Sequence, residues 1–443
     1  MGMRTIFFSE RTNDLLLAMT ITSTTLHDQA KAASTASRRL AAAPTEVKNA
    51  ALIAIAEAIE SNRQSILRAN EQDLEAAKRD DISFKMLERM TLNNARVKDM
   101  ADAARSIAAL DDPIGEILDQ RTRPNGLHLE QIRVPLGVIG VIYESRPNVT
   151  IDIATLCIKS GNGVVLRGGK ECILTNTVLA GIVKDAIESA GLPRDVVQFV
   201  ESTDRALVKE MLEMDDVIDL MIPRGSAELV KFVGENAKMA AITGGVGVCH
   251  TYVDADANLD DALAIVVNAK VERPTVCNAL DTVLIHQGVA REFLPTLAAE
   301  FGVHEVELRA DTRAMSVLDA LSGGAKVVPA QEDDFGMEFL SLIASVKIVD
   351  AMDDAMDHIA EYGSKHSEAI ISENTETLER FLNEVDSGVV FANASTYFND
   401  GGQFGLGAEV AISTNKLHAR GPMGLKEITT YKWKVRGAGQ IRQ

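Results

Sequence analysis

The chain has 443 residues, of which 46% are hydrophobic and 25% are charged, and its formal net charge is −19. This length and composition predict a globular protein with two or three domains and large hydrophobic cores. The excess negative charge argues against nucleic acid or an anionic membrane as the main partner, because both would repel the chain. An anionic small molecule would therefore need cations concentrated at its site.

The four cysteines form no CxxC pair and show no regular spacing. They indicate neither a disulfide framework nor a zinc site, and they fit the reducing cytoplasm. No N-terminal apolar run is long enough for a signal peptide, and no stretch approaches the roughly eighteen apolar residues of a membrane span. Residues 1–25 show no periodicity and are expected to form a loose extension.

Residues 27–110 place apolar residues at helical spacing, for example Leu52, Ile55 and Ile59, so several helices are predicted there. From residue 132 onwards, strand-like runs alternate with helical patterns. The predicted strands of this region are 138–143, 163–167, 196–200 and 217–222, and the predicted helices are 151–159, 175–190, 205–213 and 226–235. This alternation indicates a parallel sheet covered by helices on both faces.

A second alternating region covers residues 246–393 and begins with a predicted helix at 258–270. Its predicted strands are 282–285, 326–328, 342–349 and 388–391. Two α/β domains in series imply a cleft between them, where small-molecule sites usually lie. Residues 126–134 and 428–435 have the mixed polarity of exposed strands, and we expect them to pair as an arm that contacts another subunit.

Cys277 is the candidate nucleophile, because the motif RPTVCN at residues 273–278 forms a turn between a predicted helix and a predicted strand. A thiol becomes nucleophilic where nearby positive charge and N–H donors favour the thiolate. Arg273 and Lys270 are the nearest cations in sequence. The alternative interpretation is a buried and unreactive cysteine.

The first candidate cofactor turn follows strand 163–167 and contains Arg167, Gly168, Gly169 and Lys170. Its two glycines allow a ligand to approach the main chain, and its two cations suit the 2′-phosphate of a dinucleotide. The alternative is a tight turn with solvated charges. No GxGxxG motif follows a strand, so an ordinary Rossmann signature is absent.

The second candidate turn contains Gly225 and Ser226, at the point where a predicted strand ends and a helix begins. The free N–H groups at the start of a helix favour anionic oxygens. We therefore expect this turn to face a diphosphate.

Four segments, at 134–171 (VPLGVIGVIYESRPNVTIDIATLCIKSGNGVVLRGGKE), 242–250 (ITGGVGVCH), 349–370 and 404–424 (FGLGAEVAISTNKLHARGPMG), carry a resemblance to a known family. They resemble the aldehyde dehydrogenase superfamily and, within it, its glutamate-5-semialdehyde dehydrogenase branch. The resemblance implies an α/β fold with two Rossmann-like domains and a small β-arm for oligomerisation. The implied parts are an NADPH-binding domain (26–120 and 136–250), a catalytic domain (251–424), the arm (121–135 and 425–443) and the loose extension (1–25).

The resemblance also implies roles for individual residues. Cys277 matches the catalytic thiol, and Asn148 matches the amide that forms the oxyanion hole with the main-chain N–H at that thiol. The matches in the NADPH site are Arg167 and Lys170 at the 2′-phosphate region, Gly225 and Ser226 at the diphosphate, and Glu338 at the nicotinamide ribose. The candidate cations for the anionic groups of the substrate are Arg146, Arg273, His418 and Arg420.

Thr243 stands where oxidising members of the superfamily carry the glutamate that activates water. Its presence favours an enzyme whose acyl group is exchanged with phosphate, since hydrolysis would waste the substrate. The implied reaction is NADPH-dependent reduction of L-glutamyl 5-phosphate through a cysteine thioester, in a homo-oligomer with possible transient contact to glutamate 5-kinase. The alternatives are an oxidising NAD(P)-dependent aldehyde dehydrogenase and a non-catalytic nucleotide-binding scaffold.

Overall fold

The computed structural model of the chain describes residues 25–244, 246–319 and 324–442. The expected extension at 1–25 therefore lies outside the described residues, apart from Thr25. The α-helices are α1 Leu26–Leu40, α2 Thr45–Ser61, α3 Arg63–Arg79, α4 Phe84–Met90, α5 Asn94–Ala109, α6 Asn148–Lys159, α7 Ile173–Ser189, α8 Ala206–Leu212, α9 Ala227–Asn236, α10 Leu259–Val271, α11 Gln287–Val303, α12 Thr312–Leu318, α13 Met352–Tyr362 and α14 Thr375–Glu384.

The strands are β1 Ile117–Thr122, β2 His128–Pro135, β3 Val138–Tyr143, β4 Gly163–Gly168, β5 Val197–Phe199, β6 Leu220–Arg224, β7 Ala240–Ala241, β8 Cys249–Val253, β9 Leu280–His286, β10 Glu307–Ala310, β11 Lys326–Pro329, β12 Ile343–Val349, β13 Ser367–Ile371, β14 Val389–Ala392, β15 Ala411–Ser413, β16 Gly421–Met423 and β17 Thr429–Arg436. Every predicted strand of the two alternating regions is present, with shifts of a few residues at the ends.

The first parallel sheet has the strand order β5-β4-β3-β6-β7. Alternate residues of β3 enter two hydrophobic cores. Ile139 and Val141 pack with α2, α5, α6 and α7, whereas Val138 and Ile142 pack with α1, α8 and α9. Because side chains alternate across a strand, β3 is apolar on both faces, which explains its continuous apolar sequence.

The second sheet has seven parallel strands in the order β11-β10-β12-β9-β8-β13-β14. Three of these strands, β8, β10 and β13, were missed in the sequence. β8 pairs with both β9 and β13. The segment that leads into β8 is therefore brought beside the turn that precedes β9, and that turn carries Cys277.

A three-stranded antiparallel sheet, β1-β2-β17, forms the arm. The predicted pairing of its two segments is confirmed, with Tyr431 opposite Arg133 and Trp433 opposite Gln131. β1 was missed, because its sequence ILDQRT is short and mostly polar.

Among the described residues, no helix combines the length and the apolar character needed to cross a lipid bilayer.

Candidate active site

Cys277 lies in the turn between α10 and β9, as predicted, and Asn258 caps the helix that leads to it. It is the one partly exposed cysteine, since Cys157, Cys172 and Cys249 are buried and all four are free thiols. The position suits a thiol that must meet a substrate.

The loop before β8 packs directly on Cys277. A Cβ atom on Gly247 would overlap the Cys277 carbonyl oxygen, so only glycine fits there. The Cys249 thiol donates a hydrogen bond to the same carbonyl at 3.3 Å. The N–H of Gly247 donates to Glu338 Oε1 at 2.9 Å. The loop thus joins the candidate nucleophile to the carboxylate expected at the nicotinamide ribose.

Although the residue as a whole is partly exposed, its thiol is surrounded by protein, and this burial raises the pKa of the thiol to about 12. The negative charges of Glu409 and Glu338 also raise this pKa, while Arg224 and Arg146 lower it. Burial therefore acts against the thiolate, in the direction opposite to the nearby cations that were expected to favour it.

The cations expected to favour the thiolate were also partly misassigned. Lys270 is fully buried, donates to the carbonyl oxygen of Leu280 at 2.8 Å and lies 3.5 Å from Asp281. Its positive charge is therefore paired with Asp281 inside the domain. Arg273 is exposed at the start of the turn, and its charge acts on Arg146.

Arginines from four separate segments meet near Cys277. Burial first, and then the positive charges of Arg224, Arg89 and Arg273, lower the pKa of Arg146 to about 10. Arg89 also approaches the turn, with its Nη2 3.5 Å from the carbonyl oxygen of Thr275. Sequence reasoning missed Arg89 and Arg224. Arg224 lies within the candidate diphosphate turn, whereas no local signal marks Arg89.

Glu409 is the principal counter-charge of this cluster. One oxygen lies 3.8 Å from Nη2 of Arg224, and the other accepts the N–H of Gly401 at 3.0 Å. Burial raises the pKa of the Glu409 carboxyl. This residue was not singled out in the sequence, although it lies in the family segment 404–424.

Asn148 is the first residue of α6, and its Nδ2 donates to Asp152 Oδ2 at 2.8 Å. Burial raises the pKa of Asp152 to about 6, although Asn148 and Arg224 act in the opposite direction. Glu409 raises the same pKa. Asn148 therefore belongs to the same electrostatic neighbourhood as Cys277, since Arg224 and Glu409 act on both Asp152 and the thiol.

The first candidate cofactor turn ends β4. Arg167 is nearly buried and approaches the carbonyl oxygens of Thr203 and Asp204 at 3.5 and 3.4 Å through Nη2. Its Nε is buried without a partner in the described part of the chain. Lys170 is exposed, with its Nζ 3.5 Å from Asp80. The turn therefore presents one solvated ammonium and one guanidinium with a spare donor.

The second candidate turn already holds an anionic oxygen. Glu144 accepts the N–H of Ser226 at 2.8 Å and the Ser226 hydroxyl at 3.4 Å. The hydroxyl of Ser226 also caps α9 by accepting the N–H of Leu229. A Cβ on Gly225 would crowd the Glu144 carboxyl. The turn therefore binds an anionic oxygen, but that oxygen belongs to the Glu144 side chain.

His418 and Arg420 lie in a different charge cluster. Arg420 donates to the Asp386 carboxylate at 2.6 Å and to its carbonyl oxygen at 2.9 Å. The His418 ring contacts the carbonyl oxygen of Glu427. These contacts hold the loop between β15 and β16, and among the described residues neither side chain is hydrogen-bonded to the arginines near Cys277.

Thr243 has no free hydroxyl. Its Oγ1 donates to Asn415 Oδ1 at 2.8 Å, and its carbonyl oxygen accepts the hydroxyl of Thr414 at 3.3 Å. This side chain ties the loop before β8 to the segment after β15.

Comparison with known proteins supports the resemblance to the aldehyde dehydrogenase superfamily that the sequence motifs indicate. Residues 12–315 match the aldehyde dehydrogenase family model. The chain is 54% identical over 417 residues to the gamma-glutamyl phosphate reductase of Dehalococcoides mccartyi strain CBDB1, covering 94% of this chain and 98% of that protein. It is 51% identical over 411 residues to the protein of the same name from Escherichia coli O81, covering 93% and 98%.

The fold agrees as well. The crystal structure of gamma-glutamyl phosphate reductase from Thermotoga maritima matches with a TM-score of 0.91 and 41% identity, covering 94% of this chain and 99% of that one. The chain therefore belongs to the aldehyde dehydrogenase family of oxidoreductases, and within it to the γ-glutamyl phosphate reductases.

Proposed function

We propose that the protein reduces L-glutamyl 5-phosphate to L-glutamate 5-semialdehyde and phosphate with NADPH, through a thioester on Cys277, as a step of proline biosynthesis. The observation that carries this proposal is the placement of Cys277 among arginines in a chain of net charge −19. Relatives that carry the name gamma-glutamyl phosphate reductase, and that match 94% and 93% of this chain, support it.

The arginine cluster suits a substrate with a phosphate and a carboxylate. Arg146, Arg224, Arg89 and Arg273 repel one another, as the lowered pKa of Arg146 reflects. An anion bound between them relieves that repulsion and gains charge-assisted hydrogen bonds. We infer that Arg146 and Arg224 bind the acyl phosphate, because both act directly on the thiol.

The cofactor turns fit NADPH. Lys170 supplies an exposed ammonium for the 2′-phosphate, and the buried Arg167 Nε lacks a partner among the described residues. The N–H of Ser226 already binds a carboxylate oxygen, so it has the geometry for a phosphate oxygen. We expect Glu338, which accepts the N–H of Gly247 beside Cys277, to hold the nicotinamide ribose. NADPH, when bound, supplies the hydride.

Acylation requires the Cys277 proton to leave before sulfur attacks the acyl carbon. We infer that Glu409 accepts this proton, because it is the carboxylate with the largest effect on the thiol and burial raises its own pKa. The sulfur forms a thioester and phosphate departs. Asn148 Nδ2 and the Cys277 N–H then stabilise the oxyanion that forms when hydride adds to the thioester, an interaction that typically contributes about 3 kcal/mol per donor. Collapse of this adduct breaks the C–S bond and frees the semialdehyde, and the Cys277 thiolate recovers its proton from Glu409.

The loop before β8 carries Thr243 at the position where oxidising relatives carry the glutamate that activates water. Thr243 is engaged by Asn415 and is not a carboxylate, so it cannot act as a general base. The acyl group is therefore kept for reduction or for return to phosphate.

The direct test is Cys277→Ala, with Cys172→Ala as the control for loss of a thiol elsewhere. We expect Cys277→Ala to abolish NADPH oxidation with L-glutamyl 5-phosphate and to prevent mass-spectrometric detection of an acyl-enzyme, while the control retains both. Turnover by the Cys277 variant would remove the thioester from the proposal.

The reverse reaction separates reductive from oxidising chemistry. With glutamate 5-semialdehyde and NADP⁺, we expect NADPH formation only when phosphate is present, because Thr243 replaces the glutamate that activates water in oxidising relatives. Phosphate-independent oxidation would instead favour an ordinary aldehyde dehydrogenase.

The arm supports the proposed homo-oligomer. Tyr431, Trp433 and Val435 on β17 are exposed, and an exposed edge strand with large apolar side chains favours pairing with another copy. We expect light scattering to report an oligomer that Trp433→Asp weakens; an unchanged mass would argue against this surface. Contact with glutamate 5-kinase, expected from the lability of an acyl phosphate, and the cytoplasmic location stay predictions.

A further inference from the structure

The short loop between β3 and α6 delivers both Arg146 and Asn148, and it contains a turn at Ser145 in an unusual conformation. Ser145 has φ 45°, in the left-handed region, and is 4% exposed. Residues other than glycine, asparagine and aspartate seldom adopt this conformation unless their surroundings impose it.

Glu171 is the residue that imposes it. Its Oε1 accepts the N–H of Ser145 at 2.7 Å and the Ser145 hydroxyl at 2.8 Å. A carboxylate that receives two donors from one residue makes stronger bonds than a neutral acceptor. The main-chain N–H and the side chain of Ser145 are thereby directed to the same oxygen.

Glu171 reaches Ser145 from the segment that follows the neighbouring strand β4. β3 and β4 are parallel, with Tyr143 opposite Gly168, so the ends of both strands lie at one edge of the sheet. A Cβ on Gly169 would overlap Glu171 Oε1, so the Gly-Gly turn is also what allows this carboxylate its position.

The other side of the loop is held by the end of β6. The N–H of Glu144 donates to the carbonyl oxygen of Arg224 at 2.9 Å, and the Glu144 carboxylate accepts the N–H of Ser226. The loop is therefore fixed at Glu144 and at Ser145. The next residue is Arg146, and α6 begins at Asn148.

We propose that Glu171 is a positioning residue, which, through the left-handed turn at Ser145, sets where Arg146 and Asn148 point relative to Cys277. This proposal rests on the function proposed above, since it assigns Arg146 and Asn148 to the acyl phosphate and the oxyanion. Glu171 itself faces Ser145 and has no part in the chemistry.

The first test requires no substrate: the rate at which iodoacetamide alkylates Cys277 at pH 8. Loss of a carboxylate alone favours the thiolate and speeds alkylation. Displacement of Arg146 away from Cys277 instead disfavours the thiolate and slows alkylation. If Glu171 positions Arg146, Glu171→Ala should therefore slow alkylation by about two- to fivefold, whereas Glu171→Gln, which keeps an acceptor oxygen, should not slow it.

The second test uses turnover. We expect Glu171→Ala to lower kcat by roughly ten- to a hundredfold, as for a small misplacement of catalytic groups, with the Kd for NADP⁺ within about twofold. The exposed-site control Glu201→Ala should change neither. Ser145→Ala removes only one of the two bonds and should lower kcat severalfold, so it remains informative if Glu171→Ala does not fold.

Because Glu171 and Ser145 are proposed to act together, adding Ser145→Ala to Glu171→Ala should lower kcat little further. Independent, multiplying losses would overturn the proposal, as would faster alkylation in Glu171→Ala. If wild-type enzyme lacks reductase activity, the proposed function fails, but the alkylation rates still decide whether Glu171 positions the loop.

Discussion

Gly247 packs against the carbonyl oxygen of Cys277 with no room for a side chain, while its N–H is bonded to Glu338. A single glycine thus sets the distance between the candidate nucleophile and the carboxylate proposed to hold the cofactor. The contact joins β8 to the turn before β9, which are neighbours only because β8 inserts between β9 and β13.

Gly247→Ala should therefore slow acylation of Cys277 by about a hundredfold, because the turn must move to accept the new methyl group. Rapid-quench detection of the acyl-enzyme measures this step. Gly181→Ala in α7 is the matched control, since its Cβ meets nothing within 4 Å. The control should stay active and gain about 0.5–1 kcal/mol of unfolding free energy. Wild-type acylation by the Gly247 variant would contradict the packing argument.

The pH dependence of Cys277 alkylation follows from its raised pKa of about 12. Because the thiolate is the reactive form, the iodoacetamide rate should rise about tenfold per pH unit from pH 7 to 10. A plateau below pH 9 would show that the thiol is instead activated.

Glu409→Gln and Arg224→Met should shift that profile in opposite directions. Removing the negative charge of Glu409 lowers the thiol pKa and speeds alkylation at pH 8, whereas removing the positive charge of Arg224 slows it. If Glu409 also accepts the thiol proton, Glu409→Gln will alkylate faster yet turn over more slowly. Equal effects on both rates would exclude that role.

Lys170→Glu should change the preference between NADPH and NADH. The exposed ammonium at the end of β4 is proposed to meet the 2′-phosphate, and a carboxylate there repels it. We expect kcat/KM for NADPH to fall by about tenfold or more, with little change for NADH. Lys209→Glu, at an exposed position of α8, gives the same charge change as a control. Equal losses with both cofactors would place the 2′-phosphate elsewhere.

Glu144→Gln should strengthen cofactor binding. Glu144 occupies the N–H of Ser226, so a diphosphate must displace this carboxylate and also meets its charge. A neutral amide competes less, and we expect the Kd for NADP⁺ to fall by about fivefold, or about 1 kcal/mol. Calorimetric titration with NADP⁺ measures it. Weaker binding by the glutamine variant would show that Glu144 assists the cofactor.

The local pattern of apolar and polar residues was sufficient to predict most of the helices and strands. β3 matches the predicted strand 138–143, and α10 follows its Asn258 cap within one residue of the prediction. β8 and β13 were missed because each is short and mixes polar with apolar residues inside a buried sheet. Their polar side chains, such as those of His250 and Glu368, pair with each other across the sheet at 2.9 Å, a contact that no local periodicity reveals.

The candidate site was only partly predictable. The charges of Arg146 and Glu338 both act on the Cys277 thiol. By contrast, Arg420 donates to Asp386, and the His418 ring contacts the carbonyl oxygen of Glu427.

The sequence by itself determined the two parallel α/β sheets, the pairing of the arm and the position of Cys277 in a turn between a helix and a strand, because hydrophobic periodicity and short motifs act over neighbouring residues. Only the tertiary structure decided the charge environment of Cys277. Desolvation and the fields of Arg224 and Glu409 depend on distances through space between segments far apart in the chain, so they exist only once both sheets have formed.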